Sequence, residues 1–170
     1  MDKQALEALA HDRRLQRIQA GPGTARSTWE SGQKALQTAR VLLDEVKPTS
    51  RDPARSFEAA YDAIFKATVA ILRCLGYRIA GGEQRVTAVM ALRAMLGGDE
   101  KPRQLADDFD AMRRRRNFIE YEGGSATETQ ARAAIATADA ALKLLDPIYQ
   151  EWVRRALRGD RGPRRGRRGP

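Results

Sequence analysis

A chain of 170 residues is long enough for one domain of ordinary size with a real core, and its formal net charge is +9. One cysteine, Cys74, excludes an internal disulfide, and with one histidine, His11, no zinc ligand set exists; the expectation is no metal, no cofactor and a reducing, cytoplasmic setting. No run approaches the ~18 apolar residues of a spanning helix, and MDKQALEALAHDRR has neither the apolar core nor the cleavage site of a signal peptide.

The charge is uneven. Residues 154–170 hold eight arginines and one aspartate, so the other residues carry 23 basic and 21 acidic groups and are close to neutral. Ala, Leu, Arg, Glu, Asp and Gln dominate, aromatics are few, and no run alternates apolar with polar as a half-buried strand would. The fold class implied is all-α: an up-and-down bundle of four to five core helices, with an extra N-terminal helix and a disordered basic tail.

Residues 2–19 read as a helix with Leu6, Leu9 and Leu15 as its apolar positions, too weakly amphipathic for more than loose docking on the bundle or on a partner. Gly21-Pro22-Gly23-Thr24 breaks it. Ser27 or Thr28 then caps a second helix over residues 29–46, whose apolar face is Ala35, Ala39, Leu42, Leu43 and Val46. Asp52-Pro53 opens the most apolar helix, which runs to Leu75; its apolar positions, from Phe57 and Tyr61 to Ile71 and Leu72, cover more than half the circumference and put it at the centre of the bundle. Gly76 ends it, and residues 77–82 read as a loop.

A shorter helix over residues 83–96 stops at Gly97-Gly98, and Asp99 caps the next, with Pro102 in its first turn. After Gly123-Gly124, Ser125 or Thr127 caps the last long helix, with Ala131, Ile135, Ala138, Leu142, Leu145, Tyr149 and Trp152 as its stripe and Pro147 as a kink. The organisation expected is residues 1–28 as helix and linker, 29–157 as the bundle and 158–170 as an Arg/Gly/Pro tail that buries nothing.

The stretch DDFDAMRRRRNFIEYE, residues 107–122, is the most informative. Leu105, Phe109, Met112 and Ile119 form a helical stripe, and the position that completes it is Arg116. A guanidinium does not lose its proton and is costly to bury unless paired. Arg113, Arg114 and Arg115 fan around the other faces, one turn after Asp107, Asp108 and Asp110, at a spacing that permits pairing.

The pattern Arg116-Asn117-x-x-x-Tyr121, closing the penultimate long helix of an all-helical domain, resembles the HEPN superfamily. The stretch FEAAYDAIFKATVAILRCLGYR is similar to that family's second core helix, and the likeness covers residues 29–152. It implies an RNA-directed protein, with Arg116, Asn117 and Tyr121 as candidate catalytic residues in a groove between two protomers. It also implies a homodimer, a toxin–antitoxin or defence setting, and metal-independent endoribonuclease chemistry. The family's histidine is replaced here by Tyr121. Cleavage through the 2′-hydroxyl needs a base, charge stabilisation on the phosphorus oxygens and an acid. Arg116 has the phosphate-matching fork, whereas a phenol with an ordinary pKa of about 10 is a poor base at neutral pH. The expected activity is therefore weak or absent.

Other readings compete. Arg116 can pair with Asp62 or Glu58 across the bundle and do nothing more. The run of four arginines can be a solvated face laced to the three aspartates. Cys74 reads as a small core residue, and His11 as a surface one. The candidate nucleic-acid-binding side chains are Arg113 and the tail's Arg164, Arg165, Arg167 and Arg168, since arginines spaced by Gly and Pro bind polyanions without sequence choice. The alternative function is a non-catalytic helical interaction module, such as the dimerising partner of a nucleotidyltransferase. No phosphate-cradling glycine loop of recognised spacing is present.

Overall fold

The computed structural model describes residues 1–19 and 21–158. Six helices and one two-stranded ribbon follow in the order α1 (Lys3–His11), β1 (Leu15–Arg17), α2 (Pro22–Arg40), α3 (Pro53–Cys74), β2 (Tyr77–Ile79), α4 (Gln84–Leu96), α5 (Glu100–Glu122) and α6 (Glu128–Leu157). The fold is an all-α bundle centred on α3, which packs against α2, α4, α5 and α6. Asp52 caps α3 through a hydrogen bond from the Arg55 amide to its carboxylate at 3.0 Å, with Pro53 in the first turn. Phe57, Tyr61, Ile64, Ile71 and Leu72 are all buried, as a central helix requires. Among the described residues no helix is long and apolar enough to cross a membrane.

Three elements differ from the sequence reading. The first helix ends at His11 instead of Gln19, because Arg13 turns into the left-handed region (φ 57°) and the chain straightens into β1. That strand pairs antiparallel with β2, inside the stretch read as a loop, in the register Leu15↔Ile79, Gln16↔Arg78, Arg17↔Tyr77. Three-residue strands about sixty residues apart leave no periodic trace. With Leu15 they bring Leu6 and Leu9 into the common buried cluster, so α1 is part of the bundle's core.

The second helix starts at Pro22, not Trp29. Pro at the first helical position fixes φ at a helical value and loses only an N–H that has no partner there, so Gly21-Pro22 starts the helix instead of breaking it. Ser27 and Thr28 therefore lie inside it, each donating its hydroxyl to the Thr24 carbonyl. Past Arg40 the chain makes one π-helical turn, Val41–Glu45.

Gly32 explains how closely α2 approaches α3: a Cβ there would sit 3.2 Å from the Ala63 carbonyl oxygen and 3.3 Å from the Ala67 nitrogen. On α6 the cap is Thr127, whose capping box with Gln130 is complete. Tyr149 stacks on Trp29 of α2 with ring centroids 4.6 Å apart, and α6 is helical through Pro147 to Leu157. The tail arginines Arg164, Arg165, Arg167 and Arg168 lie outside the described residues.

Candidate functional site

The α5 stripe forms as its spacing implies. Leu105, Phe109 and Met112 are buried, Ile119 packs on the core, and Arg116 holds the remaining seam position with only 14% of its side chain exposed. Its guanidinium lies over the ring of Tyr61 on α3, 5.8 Å from the centroid. Neither Asp62 nor Glu58 pairs with it. The carboxylate is Glu120, one turn on in the same helix, which accepts from Arg116 Nη1 and also lies 3.7 Å from Arg85 of α4. Arg116 Nε is buried without a partner.

The other arginines divide by helical face. Arg113 donates through Nε to Asp110 at 2.8 Å, and Arg114 meets the second oxygen of the same carboxylate at 2.9 Å. Arg115 turns the other way, donating to the Ser125 carbonyl at 2.6 Å and lying over the Phe118 ring. Asp107 is taken by Arg93 and Asp108 by Gln104, so of the three aspartates only Asp110 serves the run.

Beside this seam, between α3, the start of α4 and the last turns of α5, lies a cleft of about 430 Å³. From α5 it is lined by Arg113, Asn117 and Tyr121, one face stepping by four residues; from α4 by Glu83 to Val86; from α3 by Asp62 and Phe65. Two of the three expected catalytic residues thus share a cleft with an expected nucleic-acid-binding one. Arg116 does not line it and forms the layer behind. Tyr121 is 75% exposed.

Sequence reasoning placed the start of α4 correctly, at Glu83, but missed Arg85 as part of a cleft. Glu83 is the N-cap of α4 but makes no capping hydrogen bond with its side chain, which is turned instead to Arg14 at 2.9 Å. As a sign of a binding site, Gly81-Gly82-Glu83-Gln84 is too short to read.

The charge balance around the cleft follows from the ion pairs. Arg14, Lys66, Arg85, Arg113, Arg114 and Arg116 share Asp62, Glu83, Asp110 and Glu120, six cations against four carboxylates. Tyr61, fully buried below, has its phenol pushed up to about 12 by burial, opposed by Arg85, Arg116 and Arg113. His11 lines a separate hollow with Glu7 and Arg17, so no imidazole reaches the cleft. Cys74 is buried, which pushes its thiol up to about 12 and keeps it from being a nucleophile. Among the described residues no group of His, Cys, Asp and Glu converges as metal ligands.

No protein-family model, curated protein or solved structure matches this chain. The chemistry of the cleft therefore has to carry the functional reading.

Proposed function

We propose that the chain is a HEPN-like, RNA-directed protein that binds RNA at the α4–α5 cleft and through its arginine tail, and cleaves it weakly or not at all. The observation that supports this reading is the gathering of Arg113, Asn117 and Tyr121 in one cleft with Arg85 and the start of α4. The charged lining is balanced, Arg85 and Arg113 against Asp62 and Glu83, and the excess of cations lies in the ion pairs around it, where Arg14 and Lys66 offset the two carboxylates. Catalysis is the weak part of the constellation. Arg116 already holds a carboxylate, and neither an imidazole nor a thiolate is at hand to move a proton. As a homodimer, two such protomers would meet through the end of α5, where Phe118 and Tyr121 stand exposed.

The test uses full-length protein in a chelator-containing buffer and a labelled single-stranded RNA. Arg113→Gln is expected to weaken binding severalfold, and deletion of residues 158–170 to remove most of the salt dependence. Cleavage is expected to be slow or undetectable, and any that occurs should vanish in Arg116→Met. RNA affinity unchanged by both the cleft substitution and the tail deletion would overturn the proposal.

The same exposed aromatics, with Glu120 already seated on Arg116, favour a second reading: a non-catalytic module that docks a protein of nucleotidyltransferase type. Under it such a protein co-purifies with the chain, and Tyr121→Ser releases it while RNA binding is absent.

A further inference from the structure

We propose that the end of the bundle from which the arginine tail leaves is itself an RNA-docking surface, made by Arg26, Arg73, Arg78 and the last turn of α6, so that folded surface and tail take one strand as a single footprint. This rests on the reading of the chain as RNA-directed, and it adds a backbone-binding surface apart from the α4–α5 cleft.

The first observation is which elements meet at that end. The last turn of α3 reaches the first turns of α2, where Arg73 donates to the Thr28 hydroxyl and, at 3.4 Å, to the Thr24 carbonyl. The ribbon joins them there, because the Ile18 amide donates to the Gly76 carbonyl at 2.8 Å, two residues before Arg78 of β2. The C-terminal turns of α6 close the same end. Tyr149 stacks on Trp29 of α2 and on Trp152, with centroids 4.6 and 6.3 Å away, and its phenol feels Arg26 of α2 and Cys74 of α3. Arg154 and Arg155 follow in the last turn of α6, and Arg158 is its C-cap.

The second observation is how these arginines are held. Gln16 Oε1 accepts two N–H groups of Arg78, the Nε one at 2.9 Å, and Arg73 rests on a hydroxyl and a carbonyl. Arg26 acts on a phenol. Each is thus directed by a neutral group, and among the described residues none of the three forms an ion pair. A guanidinium has five N–H donors in a fixed fork, so Arg73 and Arg78 are already positioned while their charge and remaining donors stay unused.

The local charge balance agrees. Arg17 is matched by Glu7, which leaves six guanidinium groups, those of Arg26, Arg73, Arg78, Arg154, Arg155 and Arg158, against Glu30 and the Glu151 shared by Arg154 and Arg155. Residues 1–158 carry 26 basic and 21 acidic groups, so this end holds four of the five excess charges. The sequence beyond it adds five arginines and one aspartate. Positive charge spread over three helices and a ribbon suits a polyanion with phosphates at intervals, bound without base choice. A lipid surface fits less well, since Leu157 is the one large apolar side chain exposed beside these arginines. Trp152, half-buried at the end of the aromatic stack, can take a base on its free side.

The experiment measures binding of a short single-stranded RNA to the full chain against salt concentration, by fluorescence anisotropy, in the parent and in a full-length variant with Arg164, Arg165, Arg167 and Arg168 changed to Gln. In both backgrounds Arg73→Gln and Arg78→Gln are each expected to weaken binding severalfold and to lower the salt slope by about 0.7. Arg73→Lys, which keeps the charge, should keep the slope, and Lys47→Gln, an equal loss of charge on the connection between α2 and α3, should change neither. A slope that survives both arginine substitutions, or that falls as far with Lys47→Gln, overturns the proposal. So does equal binding to vesicles of anionic phospholipid that is lost in the same variants, which would assign the surface to a membrane. If only Arg113→Gln and the tail substitutions weaken RNA binding, this inference fails while the functional reading stands. If no substitution alters RNA affinity, both fail.

Discussion

Arg116 and Glu120 form an ion pair, yet removing one partner is expected to cost far more than removing the other. In Arg116→Met the unbranched stem keeps its packing and Glu120 keeps Arg85 at 3.7 Å, so no carboxylate is stranded. The losses are a cation–π contact with Tyr61, worth about 1 kcal/mol, and a same-helix ion pair worth about 0.5 kcal/mol. The gain is relief of the buried, unpartnered Nε, about 1 kcal/mol. The net change lies within about 1 kcal/mol of zero. Glu120→Ala instead leaves a guanidinium that is 14% exposed with no carboxylate. Breaking a fully buried pair costs about 3–5 kcal/mol. With some water still reaching this one, about 2–3 kcal/mol is expected. Urea denaturation followed by far-UV circular dichroism, with a common slope, resolves the two. If Arg116→Met costs more than about 3 kcal/mol while Glu120→Ala is silent, the charge is held by some other group and the reasoning is refuted.

Two further outcomes follow from packing and burial. Gly32→Ala should destabilise by about 1 kcal/mol, since overpacking at about 1–3 kcal/mol outweighs the gain in helix propensity of about 1 kcal/mol; its Cβ would press on backbone atoms of α3. Gly23→Ala, where nothing lies within 4 Å, serves as the control and should melt no lower than the parent. The second outcome concerns alkaline pH. Burial raises Tyr61 and Cys74 to about 12 from ordinary values of 10.0 and 9.0. The folded state therefore holds these protons longer than the unfolded one. Their stabilisation is complete below the unfolded values and is lost as the pH rises towards 12. Unfolding free energy should fall by a few kcal/mol between about pH 9 and about pH 11. Tyr61→Phe and Cys74→Ala should each flatten their own share, and a level profile in the parent would contradict the burial of both groups.

Much of the bundle was legible because helical periodicity and end signals are local. Asp52-Pro53, Thr127 as one of two cap candidates, and Gly123, which closes α5 at φ 70°, are read within a few residues of where they act. The misreadings have a common cause in signals that act both ways. Gly-Pro can break a helix or open one, and what decided at Pro22 was that Ala25 and Trp29, three and seven residues on, had a core to enter. The ribbon of β1 and β2 is stabilised by an exposed pair, Arg78 on Gln16 at 2.9 Å, and by Tyr77 bonded to Glu7 at 2.6 Å, contacts that join distant parts of the chain and have no local pattern.

The site was legible to the same extent and failed for the same reason. Stripe counting correctly put Arg116 in the seam, because burial on a helix is a matter of angle. It could not say which residue would face the neighbouring opening, since that depends on how α4 packs beside α5. A rotation of one hundred degrees per residue separates Arg116 from Asn117, and three residues separate it from Arg113; those two face the opening and Arg116 faces Tyr61. The fork behind the wall still bears on the cleft. Glu120 is shared by Arg116 and Arg85, so an anion that draws Arg85 toward itself leaves Glu120 to Arg116 alone and tightens that pair. Arg85, which the sequence left unmarked, is therefore the residue through which the seam and the cleft are coupled.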